Sequence, residues 1–143
     1  MTVYGRTSDE IAATLVALDE FIAAEIKPLE QQGDNARFFD YRREWARTDF
    51  ENDGVPSREW ELLVAEMRRR ADAAGWLRWG LPERLGGHGA SNLEMAYIRE
   101  HLGAKGVGLH DDALYESSVV GNFPVVSMFD SVASPEQRAE WIE

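Results

Sequence analysis

Cysteine is missing from this 143-residue chain. That excludes a disulfide framework, a thiolate nucleophile and a thiolate metal site. Lysine is nearly missing, with Lys27 and Lys105 the only two. Positive charge as a whole is scarce: 15 Lys and Arg face 26 Asp and Glu, for a formal net charge of −11. A surface of that sign repels nucleic-acid phosphates and anionic lipid, so neither nucleic acid nor membrane is an expected partner. No run approaches the ~18 apolar residues of a membrane span, and Met-Thr-Val-Tyr-Gly-Arg lacks a signal-peptide core. The cytoplasm is the expected compartment. His88, His101 and His110 form no i,i+3 or i,i+4 pair and no His-Glu-x-x-His, so no metal site is expected. There is no Gly-x-Ser-x-Gly nucleophile elbow. Gly86-Gly87-His88-Gly89 lacks a preceding strand, and Gly103 to Gly108 lacks Gly-Lys-Ser/Thr, so neither reads as a phosphate loop. Among so many acids, a pair of carboxylates says nothing.

What is present is helical. The length fits one domain with a real core, and five Trp supply aromatic area to fill it. Thr7-Ser8-Asp9-Glu10 is a capping box, and Ile11, Leu15, Leu18, Ile22 and Ile26 then mark one helical face. Pro28 disfavours α geometry at the residue before it, so this helix is expected to end near Lys27. Gln31 to Asn35 reads as loop. Ala36 to Trp45 reads as a short helix whose aromatics are either a satellite cluster, the ordinary outcome, or a lid or partner surface. Asn52-Asp53-Gly54 is a turn signal. The next helix starts at Ser57 as N-cap, with Trp60, Leu63, Val64, Met67, Ala71 and Ala74 as its stripe. Arg68, Arg69 and Arg70 near its end suit the helix dipole; a nucleotide phosphate is the alternative partner.

Gly75 ends that helix, where positive φ is the natural stop. The loop after it is apolar as well as glycine-rich: Trp76, Leu77, Trp79, Leu81 and Leu85 accompany Gly86, Gly87 and Gly89. It should pack into the protein or against something else. Ser91 and Glu94 restart a helix as a capping box. That helix, Asn92 to Leu102, is apolar over more than half its circumference and is expected to be central. A further helix from near Leu109 to Asp130 should kink or break after Gly121-Asn122, because Pro124 lacks a donor. Ser134-Pro135-Glu136-Gln137 opens a last helix with a capping box and Pro at its first position.

The string Gly75-Trp76, Leu81-Pro82-Glu83, Gly86-Gly87 and Gly89, followed by Glu94, Ile98, Glu100 and Leu102, resembles the N-terminal helical domain of the acyl-CoA dehydrogenases, with Trp76 in place of Leu. Ile26-Lys27-Pro28, Gly121-x-x-Pro124 and the Ser134-x-x-Gln137 to Trp141-Ile142 segment resemble the same domain, so the likeness covers nearly the whole chain. Gly121-Asn122-Phe123 looks like the long-chain or hydroxyacyl-type branch, which carries Gly-Asn-Met there. Ala133 stands where Gly is usual, Arg138 replaces Lys, and 129–133 is a few residues longer; the departures concern the local turn.

The resemblance implies an all-α fold, an orthogonal bundle of about five to six helices in one domain over 1–143. It implies an FAD-dependent enzyme that forms the α,β double bond of acyl-CoA thioesters. A carboxylate takes the α-proton while the β-hydride goes to the flavin. By the same resemblance the base and the main flavin contacts lie in a middle β-domain and a C-terminal helical domain. Neither has a counterpart here, and no catalytic residue is expected in this chain. The short final helix, closing on Trp141 and Ile142, leads to the expectation that the chain continues past Glu143. The implied partners are an acyl-CoA, an electron acceptor and a second copy in a homo-oligomer. The implied acyl-channel residues are Leu114, Tyr115, Ser118, Val119 and Asn122, with plain core the competing reading for Leu114 and Val119. A split-enzyme subunit and a non-catalytic helical interaction module are the alternatives.

Overall fold

In this computed structural model, residues 8–114 and 125–142 are described. The chain opens with α1 (Ser8–Phe21), which passes without a stop into a π-helical segment, Ile22–Ile26, and then α2 (Lys27–Gln31). The expectation that Pro28 ends the helix is thus corrected. Pro28 sits in the first turn of α2, where its missing N–H is tolerated. The π turn ahead of it, closed by Lys27 N–H on the Ile22 carbonyl, widens the helix where the Pro ring would otherwise meet a carbonyl.

Residues 36–45 form no α-helix. Two 3₁₀ segments, Asn35–Phe39 and Tyr41–Arg47, replace it. Between them Asp40 accepts from the Arg42 amide at 3.0 Å, a local side-chain bond that competes with helix continuation. Arg43 leaves helical geometry at φ −130°. The aromatics of this region differ in burial. Phe38 is buried and Phe39 packs on the core, whereas Tyr41, Trp45 and Phe50 are exposed. β1 (Thr48–Asp49) and β2 (Val55–Pro56) pair antiparallel around the expected turn, Thr48 opposite Pro56 and Asp49 opposite Val55.

α3 (Arg58–Ala73) begins at Ser57, but the Ser57 hydroxyl donates to the Ala46 carbonyl at 3.2 Å instead of capping the helix. Its end is as expected. Gly75 has φ +82°, and the Trp76 amide reaches back to the Ala71 carbonyl at 2.8 Å, the closure of a glycine-terminated helix. α4 (Asn92–Gly103) starts on Ser91, whose hydroxyl accepts from the Glu94 amide at 3.2 Å.

The α1–α2 helix, α3, α4 and a 3₁₀ turn at Leu109–Asp112 pack around one core. Leu18, Ile26, Phe38, Met67, Ile98 and Leu109 are its largest fully covered apolar side chains. α4 is less central than its composition suggests. Met95, Ile98 and Leu102 face α1 and the 3₁₀ turn, while Leu93 and Tyr97, one turn apart, stay exposed. No described element covers that side. The expected helix from Leu109 is corrected as well: its first turn is 3₁₀ and ends at Asp112. α5 (Val125–Val132) follows Pro124, and the break at Gly121-Asn122 falls outside the described residues. α6 (Pro135–Trp141) carries the expected capping box in full. Ser134 Oγ accepts from the Gln137 amide at 3.3 Å, and Gln137 Oε1 accepts from the Ser134 amide at 2.9 Å. Among the described residues the only strands are β1 and β2, so the fold is all-α.

Candidate functional site

The apolar loop between α3 and α4 folds inward, as its composition requires. Trp76 is buried and stacks on Trp79 at 4.6 Å between ring centroids, and Trp79 stacks on His88 at 4.0 Å. Trp79 Nε1 donates to Glu94 Oε1 at 3.0 Å. Glu94 is fully buried; the acid expected to cap the start of α4 receives the indole of the loop that precedes it.

This loop offers no cradle for a phosphate. The Gly86, Gly87, His88 and Gly89 amides donate to the Glu83, Pro82, Trp79 and Leu81 carbonyls, at 3.0, 3.2, 3.2 and 2.8 Å. An anion cradle needs amides that point outward unpaired. The arginine cluster is equally committed. Arg69 and Arg70 both bond Glu66, at 2.7 and 2.9 Å. Those bonds lower the Glu66 pKa to about 2. Arg70 also reaches Glu25 at 3.1 Å, and Arg68 lies 3.6 Å from Asp112. The cavity of about 500 Å³ that Arg69 and Arg70 line with Phe21 and Glu25 is therefore bordered by neutralised cations. Neither the loop amides nor this arginine cluster fits the pyrophosphate of the implied FAD.

The turn leading to the implied acyl-channel residues is anchored from α2. Glu30 Oε1 accepts from the Leu109 amide at 2.8 Å, while Lys27 Nζ holds Glu30 Oε2 at 2.7 Å. The Gly108 amide donates to Asp111 Oδ2 at 3.1 Å. His110 is fully buried here, with its ring nitrogens 3.9 Å from Glu30 and 3.6 Å from Asp111. Leu114 is 5% exposed and belongs to the core cluster with Leu109 and Ala113. Tyr115, Ser118, Val119 and Asn122 lie outside the described residues.

A feature that sequence reasoning missed lies between α5 and α6. Val126, Phe129, Gln137, Trp141 and Ile142 line a cavity of about 350 Å³, with Trp141 largely exposed beside it. The available signal was the i,i+3 pair Val126 and Phe129 followed by the adjacent Trp141 and Ile142. α5 is tied to the α3–α4 loop by the ion pair of Arg84 with Asp130.

Elsewhere, Asp19 joins α1 to α4 and the residues just after it by accepting from His101 and Lys105. Partial burial works to raise its pKa, but the hydrogen bonds and charges of Lys105 and His101 outweigh that and hold it below the ordinary aspartate value. No cluster of three potential metal ligands occurs among the described residues. The arrangement is a packed helical scaffold with an apolar cavity between α5 and α6 and a buried imidazole, His110, set between the Glu30 and Asp111 carboxylates.

The family model described as "Acyl-CoA dehydrogenase, N-terminal domain" matches residues 8–143. No curated protein and no solved structure matches.

Proposed function

The chain belongs to the acyl-CoA dehydrogenase family, whose N-terminal domain it matches over residues 8–143, and from that premise we propose that it serves an FAD-dependent oxidoreductase that forms the α,β double bond of acyl-CoA thioesters. The observation that carries the reading is the extent of the family match, which runs from the first described residue of α1 to the chain's last residue. In this reading the domain does no proton or hydride chemistry. Catalysis of this kind needs a positioned base and a hydride acceptor; in this reading both come from other segments, in keeping with the α3–α4 loop amides and the Arg69 and Arg70 guanidiniums being committed to partners within the chain.

Its contribution is to the acyl chain. Leu114, Tyr115, Ser118, Val119 and Asn122 supply part of the wall of the channel that holds the chain. Two anchors frame the segment that carries them. Upstream, Glu30 on α2 fixes the turn at Leu109. Downstream, Asp130 on α5 is held by Arg84. The acyl-CoA, the electron acceptor and a second copy of the chain are the partners this reading names.

The test is reconstitution. The 143-residue chain with acyl-CoA, FAD and an electron acceptor is expected to show no turnover. Supplied with the segments that carry the base and the flavin contacts, it is expected to take up flavin and reduce it on addition of acyl-CoA. Turnover by the chain alone would overturn the division of labour. Failure to take up flavin with those segments present would favour a non-catalytic helical module.

A further inference from the structure

A different surface carries an arrangement that the family reading does not use. Phe38, Phe39, Asp40, Tyr41, Arg47 and Val107 line a cavity of about 230 Å³. Its floor is aromatic, since Phe38 is buried and Phe39 packs against the core. Tyr41 and Val107 are exposed at 84% and 71%, so both stand in solvent beside it.

Arg47 is the unusual member. Its Nε donates to the Phe38 carbonyl at 2.7 Å. Its guanidinium carbon lies 4.3 Å from the Trp60 ring centroid and 5.4 Å from that of Phe39. Both contacts fix the plane of the group without neutralising it. Neither Nη has a hydrogen-bond partner or an ion pair among the described residues, and neither is a buried unsatisfied atom. The other arginines nearby are spent: Arg42 on Asp40, Arg37 and Arg43 on Asp34. Asp40 is the carboxylate within the cavity, and both its oxygens are held by the Arg42 guanidinium at 2.9 Å. Those side-chain bonds hold its pKa below the usual aspartate value. Among the described residues Arg47 is left as a pre-oriented cation with no carboxylate partner, over an aromatic floor.

We propose that this cavity binds a small organic carboxylate with an aromatic or branched apolar body. The guanidinium fork matches a carboxylate in two parallel bonds. An apolar cavity of about 150 Å³ accepts benzene, so this one has room for a ring and its carboxylate. The neighbouring Asp40 disfavours a dianion such as phosphate, which would also want more than one cation.

The experiment is a titration of ¹⁵N-labelled protein, following backbone amides and the Arg47 Nε–H by NMR. The probes are 3-phenylpropionate, its neutral amide and inorganic phosphate. Expected for 3-phenylpropionate is saturable binding with Kd on the order of 1 mM, with shifts confined to residues 38–47, Trp60 and Val107. The amide and phosphate should each bind at least about tenfold more weakly. Arg47→Lys keeps the charge but loses the fork, and should weaken 3-phenylpropionate about tenfold. Because Arg47 also supports Phe38, the decisive variant is at the exposed Val107. Val107→Asp should abolish binding of the acid by repulsion, while Val107→Asn retains it. No saturable shift up to the solubility limit of the probe would overturn the proposal. So would equal binding of acid and amide, equal binding of phosphate, or indifference to Val107→Asp.

Discussion

At Gly87 the constraint is steric. A Cβ there would lie 2.1 Å from the Leu81 carbonyl oxygen and 2.5 Å from that of Arg78, both backbone atoms that cannot swing aside. Gly87→Ala should therefore destabilise the protein by about 3 kcal/mol, as overpacking against fixed atoms does, read as a lowered urea midpoint. Gly33 is the control. It has φ +59°, but nothing lies within 4 Å of its added Cβ, so Gly33→Ala should cost only the left-handed backbone term of about 1 kcal/mol. Equal losses at the two sites would show that the α3–α4 loop is looser than its hydrogen bonds indicate. The spacing of the glycines revealed the family, but nothing in the string separates Gly87 from its neighbours. Gly86 and Gly89 are needed for positive φ, at +77° and +62°, whereas Gly87 is needed for room.

Among the elements, what was legible is what closes within about four residues. Gly75 as a helix stop and the caps at Ser91 and Ser134 are local geometries, and each formed. Pro28 misled because a wider turn upstream removes its clash. Ser57 holds the expected N-cap position, but its hydroxyl serves Ala46, eleven residues away, and not the helix amides. The exposure of Leu93 and Tyr97 depends on where neighbours lie, which a helical period cannot state. The candidate site was legible mainly through family resemblance. Of its five residues only Leu114 is described, and it packs in the core. On α3, the Glu66 cluster gives a pH-dependent prediction. Its pKa falls from an ordinary 4.5 to about 2 in the folded state. Its contribution is thus complete above about pH 4.5 and fades as pH falls towards about 2, where the carboxylate protonates and releases both arginines. Glu66→Gln should be slightly less stable than the parent at neutral pH, with the difference closing over that window in denaturation profiles. Molar salt should shrink it as well, because the cluster is solvent-exposed.

Taken whole, the described protein divides unevenly. The α1–α2 helix, α3, α4 and the Leu109 turn share one buried cluster. None of the side chains described on α5 or α6 belongs to it; the Arg84–Asp130 pair is their polar tie to the rest. Local stability follows buried contact. Hydrogen exchange should therefore find α5 and α6 amides less protected than those of α1 and α4. Arg84→Ala should loosen α5 and α6 further while leaving α1 and α4 unchanged. The π turn at Ile22–Ile26 has a consequence of another kind: the first helix carries one residue more than its axial length requires. Leu18, Ile22 and Ile26 recur every four residues and stay in phase because the widened turn absorbs the surplus over about 3.6 per turn. A one-residue deletion inside a helix ordinarily rotates everything after it off the core. Here Ala24 is exposed within the wide turn. Removing it, with Pro28→Ala to relieve the clash of a regular helix, should yield a protein that still melts cooperatively. The same deletion made at Ala65, in the regular α3, should not.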